Sequence, residues 1–169
     1  MSPRLFLILT SLTSLVSAQQ QPTLEQLNNS LSENYSFVER SLNQSGLNIE
    51  ESTGEILFNA SGFTVNVITP FKESYEVTQE IVTIVDLELN QSQVLRLEDV
   101  DSIFIKALLY GINNKSPEYK VQLTEPNILS LIPTDNSSNI QFIFKKERLK
   151  VMRYKDNLGI EHAIELTQL

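Results

Sequence analysis

GEILFNASGFTVNVITPFKESYEVTQEIVTIVDLELNQSQ, residues Gly54 to Gln93, is the stretch whose reading decides the fold. Ile56 and Phe58 fall on one side of a period-two alternation. After the turn residues Asn59-Ala60-Ser61-Gly62, Phe63, Val65 and Val67 do the same. Ile81, Thr83, Val85, Leu87 and Leu89 then alternate, with Val82 and Ile84 on the opposite side. Period two with turn chemistry between the runs marks half-buried strands rather than a helix, and predicts an antiparallel meander. Nothing in the stretch looks like a reaction centre. Any function carried here is that of an apolar concave surface.

Toward the N-terminus, Met1-Ser2-Pro3-Arg4 leads into an apolar run from Leu5 to Val16 and then Val16-Ser17-Ala18. A short basic start, an apolar segment too short to span a bilayer and a small residue at the end are the marks of a secretory leader. Cleavage is expected after Ala18, leaving residues 19–169 as a single domain. The chain has no cysteine, which rules out thiolate zinc sites, cysteine nucleophiles and a lipid-modified N-terminal cysteine. Its formal charge of -8 suits solubility and makes nucleic acid a poor partner.

Thr23 as N-cap with Gln26 three residues on predicts a capping box, and Leu24, Leu27 and Leu31 form one stripe of a helix to about Ser32. Tyr35 to Leu42 reads as the first strand, and Asn43 to Thr53 as a polar connection. Beyond the meander, Val94 to Leu97 finishes a strand. From Glu98 to Tyr110 the period changes: Val100, Ile103, Phe104, Ala107 and Leu108 make a helical stripe, with Glu98, Asp99 and Asp101 in the first turn and Gly111 at the end. Ile105, Leu109 and Tyr110 make this helix apolar nearly all round, so it needs cover on more than one side. Strands follow at Tyr119–Leu123, Ile128–Ile132, Ile140–Phe144, Arg148–Tyr154 and Ile160–Leu166, the last two joined through Asp156-Asn157-Leu158-Gly159.

Chemistry is sparse. His162 is the only histidine, and with no nucleophile-elbow glycine pattern it reads as an exposed strand residue. Asp99 and Asp101 are two apart, so a helix turns them away from each other. No calcium-loop spacing and no phosphate-cradling glycine loop occurs, so no enzyme, metal or cofactor is expected. Seven Asn-x-Ser triplets, at Asn28, Asn34, Asn43, Asn59, Asn90, Asn114 and Asn136, are glycan acceptors only in a eukaryotic secretory setting.

The order of elements from about Leu24 to Leu166 resembles the LolA family of periplasmic outer-membrane lipoprotein carriers. The resemblance is carried by Tyr35-Ser36-Phe37, Gly54-Glu55-Ile56, Phe63…Pro70, Asp86-Leu87-Glu88-Leu89-Asn90-Gln91-Ser92-Gln93-Val94, Ala107-Leu108-Leu109-Tyr110-Gly111, Tyr119-Lys120-Val121, Leu131-Ile132-Pro133, Leu149…Met152 and Asp156…Gly159. It implies a mainly β fold: a half-open antiparallel β-barrel with a short helical lid. It also implies a monomeric chaperone that takes acylated lipoproteins from the inner-membrane LolCDE transporter to an outer-membrane acceptor. The lipid-binding lining would be drawn from Ile56, Phe58, Phe63, Val65, Val67, Leu87, Leu89, Phe142 and Phe144, with Ile103, Phe104, Ala107 and Leu108 from the lid. Strand parity leaves open which face is concave. The Arg that the family often carries in the turn occupied here by Asn59 to Gly62, where it helps latch the lid, is missing. Two other expectations stand beside the carrier: a sensor or protein-binding domain of the same fold, and a secreted glycoprotein.

Overall fold

The computed structural model describes residues 21–43, 48–100, 103–135, 137–156 and 158–169. The expected leader and its cleavage point lie outside these residues, as do Asp101, Asn136 and Asn157. Eleven antiparallel strands form one curved, unclosed sheet with two short helices. The strands are β1 (Tyr35–Asn43), β2 (Asn48–Asn59), β3 (Gly62–Thr69), β4 (Glu73–Thr78), β5 (Ile81–Asp86), β6 (Gln91–Arg96), β7 (Tyr119–Glu125), β8 (Ile128–Pro133), β9 (Ile140–Lys145), β10 (Arg148–Lys155) and β11 (Glu161–Gln168). The order β6-β5-β4-β3-β2-β1-β11-β10-β9-β8-β7 is two meanders joined where β1 pairs β11, with β6 and β7 as the two edges. The helices are α1 (Leu24–Ser30) and α2 (Ile103–Tyr110).

Directly opposed residues of an antiparallel ladder point to the same side, so the register identifies one continuous face. One row runs Leu95, Val82, Val77, Phe63, Phe58. A second runs Gln93, Ile84, Tyr75, Val65, Ile56, Tyr35. Across the β1–β11 junction Phe37 opposes Leu166, and Ile164, Met152, Phe142, Leu129 and Leu123 continue the same side. Both helices lie on this face, and the core sits between them and the sheet. This is the concave side that alternation alone left undecided.

Gly54 occupies the crowded middle of it. A Cβ there would stand 2.0 Å from Asn66 O and 2.8 Å from the Phe37 ring, so only glycine leaves room for both. The β2–β3 turn forms as expected, with Asn59 Oδ1 accepting from the backbone N–H of Ser61 and Gly62.

Four sequence expectations need correction. The polar stretch after Asn43 is already strand from Asn48, because Ile49 to Thr53 pair with Leu42 to Val38 in the β1–β2 ladder. The helix expected from Glu98 is broken: Leu97–Asp99 is a single 3-10 turn, and Val100 is extended (φ -93°, ψ 97°) before α2 begins at Ile103. Glu98 and Asp99 therefore do not sit in α2's first turn, and both pair with Arg96 instead. Helix α1 ends at Ser30. Its Thr23 Oγ1 caps Gln26 N at 3.1 Å, but the Gln26 side chain donates to Glu147 O rather than closing a capping box.

Candidate functional site: the concave face and its helical lid

Of the expected lining, Ile56, Phe58, Phe63, Val65, Val67, Phe142 and Phe144 all point to the concave side. Ile103, Phe104, Ala107 and Leu108 reach it from α2. Leu87 and Leu89 do not. Asp86 ends β5, its Oδ1 accepting from Glu88 N and Leu89 N, and both leucines project from the resulting turn at 57% and 67% exposure. The alternation through Leu89 continues in sequence past a strand that a side-chain cap has already stopped. The inward residues of β5 are Val82 and Ile84, which the sequence reading places on the other side of that strand from the chosen lining.

The thirteen expected residues also differ in what they offer a ligand. Phe142, Phe144, Phe63 and Ile56 are buried in the core. Phe58, Val65, Val67, Ile103 and Phe104 are only half-buried. Ile84, Leu95, Val121 and Leu123 are likewise only partly buried against the core. Two open hollows of about 500 and 540 Å³, one against α1 and one around Leu42, Ile49 and Lys155, include none of the thirteen. Helix α2 packs onto the concave side.

Helix α2 crosses the face from one half of the sheet to the other. Near its start the Phe104 ring stacks on Tyr154 of β10, with centroids 5.0 Å apart and planes at 16°. At its end Tyr110 approaches Gln79 O in the β4–β5 turn, and Gly111 (φ 73°) terminates it. Asn28 of α1 then clasps the backbone of Ile112: its Oδ1 accepts from Ile112 N at 2.7 Å and its Nδ2 donates to Ile112 O at 3.0 Å. That engagement makes the Asn28 triplet unfit for a glycan, whereas Asn90 and Asn114 are exposed.

Tyr154 in turn lies flat on His162 of β11, at 4.6 Å and 7°. His162 is not the exposed strand residue expected from the sequence. Its side chain keeps only 16% exposure, because it faces the concave side beneath this stack. Nδ1 is 2.7 Å from Glu39 Oε1, and Glu39 Oε2 accepts from Ser52 Oγ at 3.2 Å. Nε2 is shut off from solvent without a hydrogen bond, the only such side-chain atom among the described residues, with Asp156 Oδ2 at 3.5 Å. The Glu39 hydrogen bond, more than Asp156, raises the imidazole above its ordinary value against the opposing cost of burial. Desolvation pushes the Asp156 carboxyl up, but the Ile160 backbone N–H and the contact with His162 outweigh it and leave it lowered. Burial, with Glu39 and Asp156 nearby, raises the Tyr154 phenol well above its usual range. A signal for this cluster exists in the sequence only as the lone histidine beside the hairpin; Glu39 is 123 residues away.

Among the described residues, no group of three or more His, Cys, Asp or Glu is arranged to hold a metal ion, and no helix is long and apolar enough to cross a membrane. No protein-family model matches the chain, and a search of curated proteins finds no match. The crystal structure of an uncharacterized conserved protein from Thermus thermophilus is similar at 14% identity, over 86% of this chain and 82% of that one, with a TM-score of 0.46.

Proposed function

We propose that this protein is a periplasmic chaperone that binds the acyl chains of lipoproteins on its concave apolar face and carries them from the inner to the outer membrane. The observation that carries this reading is the set of half-buried apolar side chains on the concave face, with a helix packed on that face that is itself apolar on nearly every side. A helix of that composition needs cover on more than one side, and here only Ala107 and Leu108 are fully covered, while Ile103, Phe104, Ile105 and Leu109 are half-buried. Raising α2 would expose a groove lined by Phe58, Val65, Val67 and Ile84. Burying acyl methylenes there contributes about 0.8 kcal/mol each, so a few chains give high affinity without any chemistry. Delivery then requires only an acceptor that binds the chains better. Export through a leader ending at Ala18, loading by a LolCDE-type transporter and unloading to an outer-membrane acceptor belong to the same reading.

The test is expression in a bacterial periplasm with a tagged outer-membrane lipoprotein, purification without detergent and native mass measurement. A one-to-one complex with acylated lipoprotein, lost on Val65→Asp, is the expected result. A clean apo mass, with no displacement of an apolar fluorescent probe by acylated peptide, would overturn the carrier and leave a protein-binding β domain.

A further inference from the structure

In an all-antiparallel sheet, alternate turns fall at opposite ends. The strand ends Asn43/Asn48, Thr69/Glu73, Asp86/Gln91, Pro133/Ile140 and Lys155/Glu161 lie at one end of this sheet, and Asn59/Gly62, Thr78/Ile81, Glu125/Ile128 and Lys145/Arg148 at the other. The two ends are chemically unlike. The second end presents Ala60-Ser61, Gln79-Glu80, Pro126-Asn127 and Lys146-Glu147 at its turns, with Ile81, Tyr110 and Leu169 as its exposed large hydrophobic residues. At the first end four neighbouring tips each carry large apolar side chains in water: Ile49 next to β1–β2, Ile68 and Phe71 at β3–β4, Leu87 and Leu89 at β5–β6, and Leu158 at β10–β11. These are six of the ten exposed large hydrophobic residues among the described residues. Two of the tips are joined, Leu87 N donating to Lys72 O at 2.9 Å.

We infer that this end of the sheet docks onto the interfacial layer of a zwitterionic phospholipid bilayer, with Phe71, Leu87, Leu89 and Leu158 entering it. Soluble proteins rarely gather exposed apolar side chains in one place without a partner for them. Phe71, Leu87, Leu89 and Leu158 stand on separate turns, and Ile49 borders the hollow around Leu42 and Lys155. A rigid protein partner needs a matched pocket for each projection, whereas a fluid interface accepts side chains at unequal heights. Charge narrows the lipid. Glu50, Asp86 and Glu88 stand beside the tips with Lys72, and the chain is -8 overall, so anionic headgroups would be repelled. The opposite end is closed by α1, where the Tyr35 hydroxyl donates to Ser30 O at 3.0 Å and Leu27 is fully buried. The inference rests on the tips and not on the carrier reading, and it holds whether or not acyl chains are bound.

The chain has no tryptophan, so a single one can report on each end. Phe71→Trp and, as control at the far end, Leu169→Trp are made in the full chain and mixed with phosphatidylcholine vesicles. The expected result is a blue shift and quenching by brominated phosphatidylcholine for Phe71→Trp, with Leu169→Trp unmoved. Adding Leu87→Ser and Leu89→Ser to Phe71→Trp should weaken the quenching about tenfold or more. No blue shift at Phe71→Trp, equal quenching at both ends, or a requirement for phosphatidylglycerol would each overturn the inference. Folding of every variant is checked by its circular dichroism. Lipoprotein capture is a separate readout, so a failure of docking is distinguishable from a failure of carriage.

Discussion

His162 Nδ1 and Glu39 Oε1 meet at 2.7 Å across the β1–β11 ladder, two residues off register, since His162 directly opposes Ser41 and Glu39 opposes Ile164. Only the imidazolium satisfies both neighbours. A neutral ring that donates from Nδ1 to Glu39 turns the Nε2 lone pair toward Asp156 Oδ2. The folded protein therefore holds the proton more tightly than the unfolded chain, whose histidine titrates near 6.5. The resulting stabilisation is fully present below that value and is lost as pH rises through the raised folded one. Urea unfolding of the wild type across neutral to alkaline pH should show this decline. His162→Gln should be less stable at low pH and flat through the same window.

The Phe104–Tyr154 stack is the contact that holds the start of α2 to the second meander. Aromatic pairs contribute about 0.5–1.5 kcal/mol beyond the area they bury. Phe104→Ala should speed amide hydrogen exchange across α2 while β8 and β9 keep their protection. Unchanged exchange in α2 would mean that the lid is held elsewhere.

Asn28 supplies two hydrogen bonds to one residue, Ile112, and ties α1 to the segment leaving α2. Truncation leaves a partly buried N–H and C=O without partners, which costs about 1–3 kcal/mol. Asn28→Ala should lower the urea midpoint accordingly. Asn114→Ala, an exposed neighbour of that segment, should not.

Gly54→Ala should be destabilising by about 1–3 kcal/mol, because the added methyl meets backbone oxygen and the Phe37 ring together. Thermal unfolding of Gly54→Ala beside Gly54→Ala/Phe37→Leu measures how much of the cost is the ring. Partial recovery in the double variant is expected.

Phe142 and Leu89 share one sequence reading as lining, and the structure separates them. Phe142 is fully buried and Leu89 stands in solvent. Phe142→Ala should cost about 3–5 kcal/mol, and Leu89→Ala should change stability by no more than about 0.5 kcal/mol. Equal losses in denaturant unfolding would contradict the placement of Leu89.

Much of the fold is legible because the same residues that make strands also mark where they stop. The Asn59–Gly62 turn, Gly111 after α2 and Gly159 (φ 81°) in the last hairpin are all readable from local chemistry. The site is less so. Leu87 and Leu89 keep the alternation of β5, and nothing apolar in that pattern reveals that Asp86 caps the strand's end. Val100 belongs to the helical stripe in sequence, yet it is extended, the chain making one 3-10 turn at Leu97–Asp99 that closes with Val100 N donating to Leu97 O.

The sequence by itself determined an antiparallel β meander, its turns, an apolar helix after β6 and the absence of cysteine chemistry, since each depends on periodicity or composition within a few residues. Only the tertiary structure decided which face is concave, that His162 is enclosed by Glu39, Asp156 and Tyr154, and that the exposed leucines and Phe71 gather at one end. Those facts depend on which distant strands pair and in what register, and a shift of one residue would send every side chain of a strand to the other face.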